Sequence, residues 1–366
     1  MGRFEKLNWI VFCALIFIVS RCVMLYQYDL AKTILFHAHA VGFADMMCKW
    51  DCQWYLTIIN NGYDTSLRTT PKIWHGLANW AFFPLYPYMV RYVEFVSHIK
   101  ATFAGILLNQ SFVFISLLLF YSYLKMSFDE LNSRFGVFLL AFSPFSIYFA
   151  SLYTEALFLV LSLAGFYYMR QKRYVVAAIF GGLLSATRPL GCMFVVPYVY
   201  SLFKRYRFAI LQPKFLALIV IAFSGLLLYM CYLYLLTGDA LAFHTVQKAW
   251  GRHGLTMLHF GSQMRHMLSD SHDSILFVVS CVISVYLWIN GYIEEALFNV
   301  LATLPGVLTG TMMSEGRFCG TLFTFYFGIV LVARKSNSLK IIIALLFLLF
   351  YISYFLYWMA HASFLV

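Results

Sequence analysis

Four stretches constrain this chain most: Trp9–Tyr28, Ala101–Leu124, Phe215–Leu236 and Ile341–Trp358. Each is about as long as the roughly 20 residues a helix needs to cross a bilayer, and each holds at most one charged residue. In hydrocarbon every backbone N–H and C=O must be satisfied inside the segment, so a run of this kind folds as a helix. The rest of the chain agrees. Of its 366 residues 62% are hydrophobic and only 11% charged, where a soluble domain carries roughly 25% charged residues. Mean hydropathy is +0.78. The apolar runs are continuous, whereas the strands of a membrane barrel alternate over about 10 residues, so a β-barrel is excluded. The class is an all-α polytopic membrane protein.

Further apolar runs bring the expected number of spans to about 11. Between the four long ones lie Phe135–Ala150, broken at Ser143-Pro144, then Glu155–Met169, Tyr174–Ala186 and a run from Pro189 to Phe203. Ile275–Ile289, Ala296–Leu308 and Phe318–Val332 precede the last. The first is read as a signal anchor entering from Arg3 and Lys6. Residues 29–100 form a long first loop. In it Trp50 and Trp54, then Ile58 and Ile59, recur at helical spacing and predict an amphipathic helix on the membrane surface. Phe82–Ser97, with Pro84 and Pro87, predicts an interfacial or re-entrant segment, with no regular helix starting before Pro87. A second polar loop covers residues 237–274.

The 26 Lys and Arg against 15 Asp and Glu leave a net charge of +11. The cations concentrate in three short loops, Arg170–Arg173, Lys204–Arg207 and Arg334–Lys340. With a cytoplasmic N-terminus and a non-crossing Phe82–Ser97 segment, all three fall on the cytoplasmic side, as the positive-inside rule requires. Charge placed this way marks topology and speaks against a nucleic-acid partner. Both long loops then face the extracytoplasmic side. A bacterial inner membrane is favoured, with the endoplasmic reticulum membrane as the alternative. The eight cysteines predict no disulfide framework, and Cys48 and Cys52 lack the further ligands of a zinc site.

The stretch from Lys49 to Asp64 is where polar and aromatic residues meet. Asp51, set between Trp50 and Trp54, suits a general base that takes a proton from an acceptor hydroxyl; the alternative is a helix N-terminal carboxylate favoured by the dipole. Asp45 is a second loop acid, able to bind acceptor or to sit exposed. Glu155 heads an apolar run, where an ionisable residue is functional by default. Arg188 and Arg317 lie on the outer side, against the positive-inside trend. An arginine fork there suits a phosphate. The alternatives are ion pairs, of Arg188 with Glu155 or Asp51 and of Arg317 with Glu315. His244, His253, His259, His266 and His272 crowd the second loop, but no pair has the spacing that sets two metal ligands on one helical face. No metal or other cofactor is expected. No Gly-rich phosphate loop and no soluble nucleotide-sugar domain are present, so a donor must come from the bilayer or the outside.

Trp50-Asp51 followed by Gly62-Tyr63, then Phe82-Phe83-Pro84-Leu85-Tyr86-Pro87 and Tyr153-Thr154-Glu155-Ala156-Leu157-Phe158, resembles the second GPI mannosyltransferase (PIG-V) family and its prokaryotic relatives among the GT-C glycosyltransferases. Ser185-Ala186-Thr187-Arg188-Pro189-Leu190-Gly191 and Arg317-Phe318 follow in the same order. The resemblance implies a GT-C-type bundle and an inverting transfer of a sugar, typically mannose. The donor would be a polyprenyl phosphate and the acceptor a lipid-linked or other extracytoplasmic molecule. It implies Asp51 as the base, with Asp45, Trp50, Glu155, Arg188 and Arg317 around the substrates. This chain is shorter than the eukaryotic enzymes and shows no GPI-specific feature. The competing reading is a transporter or flippase of a lipid-linked or amphipathic substrate.

Overall fold

A computed structural model describes residues 3–35, 42–69, 76–252, 271–309 and 314–360. Among these the chain is all helical, with no strand. In order, α1 is Arg3–Leu35, α2 Phe43–Met46, α3 Cys52–Asn61, α4 Leu85–Ser97, α5 Ala101–Leu124 and α6 Glu130–Ala141. Next come α7 Ser146–Ala150, α8 Glu155–Arg170, α9 Tyr174–Ser185, α10 Val195–Tyr206, α11 Pro213–Thr237 and α12 Ala242–Thr245. The last five are α13 Ser271–Ile289, α14 Ile293–Leu308, α15 Glu315–Gly320, α16 Phe323–Ala333 and α17 Asn337–Met359.

Four segments are long and apolar enough to cross a membrane: Asn8–Thr33, Ala101–Leu124, Pro213–Thr237 and Asn337–Met359. They coincide with the four long runs of the sequence. Their outer faces remain apolar and uncovered, with Leu15, Leu228 and Leu345 more than half exposed. That surface fits lipid, not water. The other expected spans are shorter. The 16 residues of α8 reach about 24 Å and the 11 of α16 about 17 Å, against roughly 30 Å of hydrocarbon.

Several expectations shift in detail. The apolar face of α3 is buried in the protein through Trp54, Tyr55, Ile58 and Ile59, so it is spent on the core and not on a membrane surface. Helix α4 starts at Leu85, before Pro87. The proline is tolerated there because the first helical residues have no intrahelical acceptor for their N–H groups. The expected break at Ser143-Pro144 separates α6 from α7. Phe318–Val332 is not one helix: Thr321 and Leu322 divide it into α15 and α16. Arg21, within α1, is held by protein acceptors, the Gln110 side chain at 3.4 Å and the Ala141 carbonyl at 3.2 Å.

The bundle closes around α8, which is buried along nearly its whole length and packs between α5 and α9. Helices α9 and α11 approach backbone to backbone. A Cβ on Gly225 would lie 2.2 Å from the Gly182 carbonyl oxygen and 2.5 Å from the Ala186 amide nitrogen. Small residues permit this approach, which is how helices gain contact where lipid removes the hydrophobic drive. The α9–α11 contact fixes the turn that follows α9, and Leu85 N–H donates to the Ala186 carbonyl at 3.2 Å. Arg188 therefore sits on a rigid corner. Gly225→Val should cost about 3 kcal/mol, the upper end for overpacking, because backbone blocks the added methyls. Thermal unfolding of the purified protein in detergent should show the loss.

Candidate functional site

The polar stretch around Asp51 is fixed from several directions. Cys48 and Cys52 form a disulfide that closes the short loop holding Lys49, Trp50 and Asp51. The sequence expectation of no disulfide framework is thus corrected for this pair. The two thiols are one helical turn apart, and the turn at Lys49–Trp50 brings them together. Trp50 adopts φ 44°, a left-handed conformation uncommon for a bulky residue. Such strain persists only where the surroundings over-determine it. Here Trp50 packs edge-on against Trp358, with ring centroids 4.7 Å apart. Trp358 Nε1 donates to the Met46 carbonyl at 3.1 Å. The buried Lys49 ammonium donates to the carbonyls of Trp358 and Met359 at the end of α17. Burial lowers its pKa to about 8. Tyr153 Oη donates to the Lys49 carbonyl at 2.9 Å.

Asp51 occupies the N-cap position of α3, yet its side chain makes no capping hydrogen bond. The carboxylate thus stands at the helix N-terminus, where the dipole favours it, with both oxygens left free of capping. Its Oδ2 lies 2.7 Å from Arg317 Nη1. The same guanidinium donates through Nε to Glu155 Oε1 at 2.5 Å, and Arg188 Nη2 donates to that oxygen at 3.1 Å. Asp51, Glu155, Arg188 and Arg317 thus form one connected network, buried except at the half-buried Asp51. The pairing alternative holds for Arg188, which meets Glu155. For Arg317 the partners are Asp51 and Glu155, not Glu315. Burial alone would lower the Arg317 pKa, but Glu155 and Asp51 more than reverse that and hold it charged.

The network faces a cavity of about 530 Å³, lined among others by Asp51, Tyr55, Arg188, Lys248, Arg252 and Arg317. A smaller cavity of about 350 Å³ shares Asp51, Arg252 and Arg317 and adds Trp50 and Trp54. Both lie in the size range of small-ligand sites. Arg188, Lys248, Arg252 and Arg317 outnumber the acids Asp51 and Glu155, so the cavity carries excess positive charge. Burial, then repulsion from Arg317, lowers the Arg252 pKa. Arg188 Nη1 is buried and has no hydrogen-bond partner among the described residues. A buried N–H of a charged group left unpaired costs free energy, and an anionic ligand oxygen would recover it.

Of the residues singled out in the sequence, Trp50, Asp51, Glu155, Arg188 and Arg317 come together. Asp45 does not: it is exposed on α2 and lines neither cavity. His244 lines the larger cavity. His253, His259, His266 and the side chain of His272 lie outside the described residues. Among the described residues no group of three or more His, Cys, Asp or Glu could hold a metal ion. Sequence reasoning missed Lys248 and Tyr55 and did not assign Arg252, of the second polar loop, to the site. Compared with known protein families and with curated proteins, the chain finds no match in either.

Two predictions follow from the network and from its neighbour Glu315. Arg317→Met leaves buried carboxylates without their main counter-charge and should cost about 3–5 kcal/mol, read as a fall in thermal midpoint in detergent. Glu315 is fully buried in α15, with Oε2 unpartnered among the described residues and Oε1 accepting from Cys319 Sγ at 3.3 Å. Burial raises its pKa from 4.5 to about 8. The folded protein then binds this proton more tightly than the unfolded chain does. Its contribution to stability is full below the ordinary carboxylate range and is lost as pH rises toward about 8. Stability measured across that window should decline with pH in the wild type and decline less in Glu315→Gln. An identical slope in the two proteins would exclude Glu315 as the titrating group.

Proposed function

We propose that the chain is a polyprenyl-phosphate-dependent glycosyltransferase of GT-C type, a relative of the second GPI mannosyltransferase family. In this reading about 11 segments enter the membrane, the N-terminus is cytoplasmic and the Asp51 cavity opens on the extracytoplasmic side. Mannose is the favoured sugar, and a lipid-linked or other extracytoplasmic molecule is the acceptor. The observation that carries the reading is the cavity's make-up: the carboxylate Asp51 faces several arginines, one of them with an unsatisfied buried N–H. The Cys48–Cys52 disulfide beside Asp51 supports an oxidising compartment for this face.

Arg317 on Oδ2 orients the Asp51 carboxylate, and Oδ1 has no protein partner among the described residues. That oxygen takes the proton from the acceptor hydroxyl as the hydroxyl oxygen attacks the anomeric carbon. The new C–O bond forms on the face opposite the bond to phosphate, which breaks, so the anomeric configuration inverts. The polyprenyl phosphate leaves with the electron pair. Its growing charge falls to Arg188 and Arg252, whose preorganised N–H groups cost no reorientation during the step. Glu155 lies behind the two arginines it pairs with and keeps their forks aimed. The tyrosine and phenylalanine walls, Tyr55, Phe82 and Phe318, exclude water, which would otherwise compete as acceptor.

The test is transfer of labelled mannose from a synthetic polyprenyl-phosphate mannose to candidate acceptors. Wild type should form product, and Asp51→Asn should lose at least about 100-fold while unfolding at a similar temperature. Product formed equally well by Asp51→Asn would remove Asp51 as the base. Ion-coupled flux of lipid-linked sugar by a wild type that forms no product would favour the transporter reading instead.

A further inference from the structure

Helix α8 runs from Glu155 at the cavity to Arg170 at the other end of the bundle, about 22 Å away by helical rise. There a second cleft of about 500 Å³ opens between the turn after α8, the end of α10 and the start of α14. Arg170, Lys172, Lys204 and Arg205 line it, with Glu294 and Glu295 as the acids. The acids are partly spent. Glu295 is buried and taken up by Arg170 at 2.5 Å and by the Tyr123 hydroxyl. Glu294 faces Lys204 at 3.8 Å. Among the described residues neither Lys172 nor Arg205 makes an ion pair. Arg205 instead lies over the rings of Tyr174 and Tyr206, 5.9 and 5.3 Å from their centroids.

The backbone adds an independent observation. Lys172 stands at φ 62°, just past the end of α8, where the left-handed conformation favours glycine. The corresponding turn across the cleft does use one, Gly291 at φ 83°. A lysine at such a position costs backbone energy that a glycine would not. Beside the cleft the chain leaves α10 through Arg207–Leu211, in which no residue is fully buried. Phe208 is 80% and Leu211 68% exposed. Exposed apolar side chains next to a cationic cleft mark the level where acyl chains meet headgroups.

We propose that this cleft binds the phosphate of an anionic phospholipid headgroup, with Lys172 and Arg205 as its main ligands and Phe208 and Leu211 set among the acyl chains. The proposal needs the membrane reading of the chain but not the glycosyl-transfer reading, and it concerns the end of the bundle away from Asp51. Basic clefts between helix ends suit this role, each cation near the surface adding about a fivefold gain in affinity.

The experiment titrates detergent-purified full chain with four probes and follows the thermal midpoint: short-chain phosphatidylglycerol, short-chain phosphatidylcholine, glycerol phosphate and inorganic phosphate. Phosphatidylglycerol should stabilise the wild type at concentrations where the other three do not. Lys172→Gln with Arg205→Gln should bind it about 25-fold more weakly. Lys172→Gly relieves the backbone and keeps the fold, and it should still lose about fivefold in affinity, which separates binding from folding. Glycerol phosphate as effective as phosphatidylglycerol would keep the phosphate site and overturn the lipid as its source. Equal stabilisation by phosphatidylcholine, or unchanged affinity in both variants, would overturn the site and leave these cations a topological role only.

Discussion

The guanidinium of Arg317 is the contact on which the rest of the site depends. It spans Asp51, on the first loop, and Glu155, at the head of α8, at 2.7 and 2.5 Å. Two acids near each other in a buried setting would otherwise repel, or one would take up a proton. A single arginine between them, with Arg188 on the same Glu155 oxygen, keeps the group balanced. The arrangement joins segments distant in sequence: Asp51, Glu155, Arg188 and Arg317 all enter from different turns. Desolvation makes Glu155, Arg188 and Arg317 costly alone, so these three are stable as a set, with the half-buried Asp51 at its edge.

The supports of that set are mechanical as much as electrostatic. The Asp51 loop is tied to the end of α17 through Lys49, Trp50 and Trp358, and to the segment before α8 through Tyr153. Further along, Asp64 anchors the same loop. It accepts from the Asn79 backbone N–H at 3.0 Å and pairs with Arg68 at 2.9 Å. A loop fixed at both ends in this way holds a carboxylate as firmly as a helix would. The bundle supplies the other half, since the glycine contact between α9 and α11 sets the corner that carries Arg188.

The two clefts at opposite ends of α8 have different logic. At the Asp51 end, Arg188 and Arg317 converge on Glu155, and Arg317 also reaches Asp51. At the Arg170 end the cations line a cleft among helix ends, so charge alone says little there. What distinguishes that cleft is the cost accepted for Lys172 and the exposed Phe208 and Leu211 beside it.

Much of this protein was legible in the sequence because lipid permits few solutions. Long apolar runs in hydrocarbon must be helices, and the four longest reappear as the membrane-length segments. Asp51, Glu155, Arg188 and Arg317 were legible because charge is scarce in such a chain and each sits where it is least expected. Composition and spacing could not say which acid meets which arginine. Glu315 is a near neighbour of Arg317 in the chain, yet the turn into α15 sends the guanidinium to Asp51 and Glu155 and buries Glu315 beside Cys319. Nor could they show that Cys48 meets Cys52, that α3 spends its apolar face on the core, or that Asp45 stands apart. Those outcomes depend on backbone turns and on packing between remote segments, and only the tertiary structure decides them.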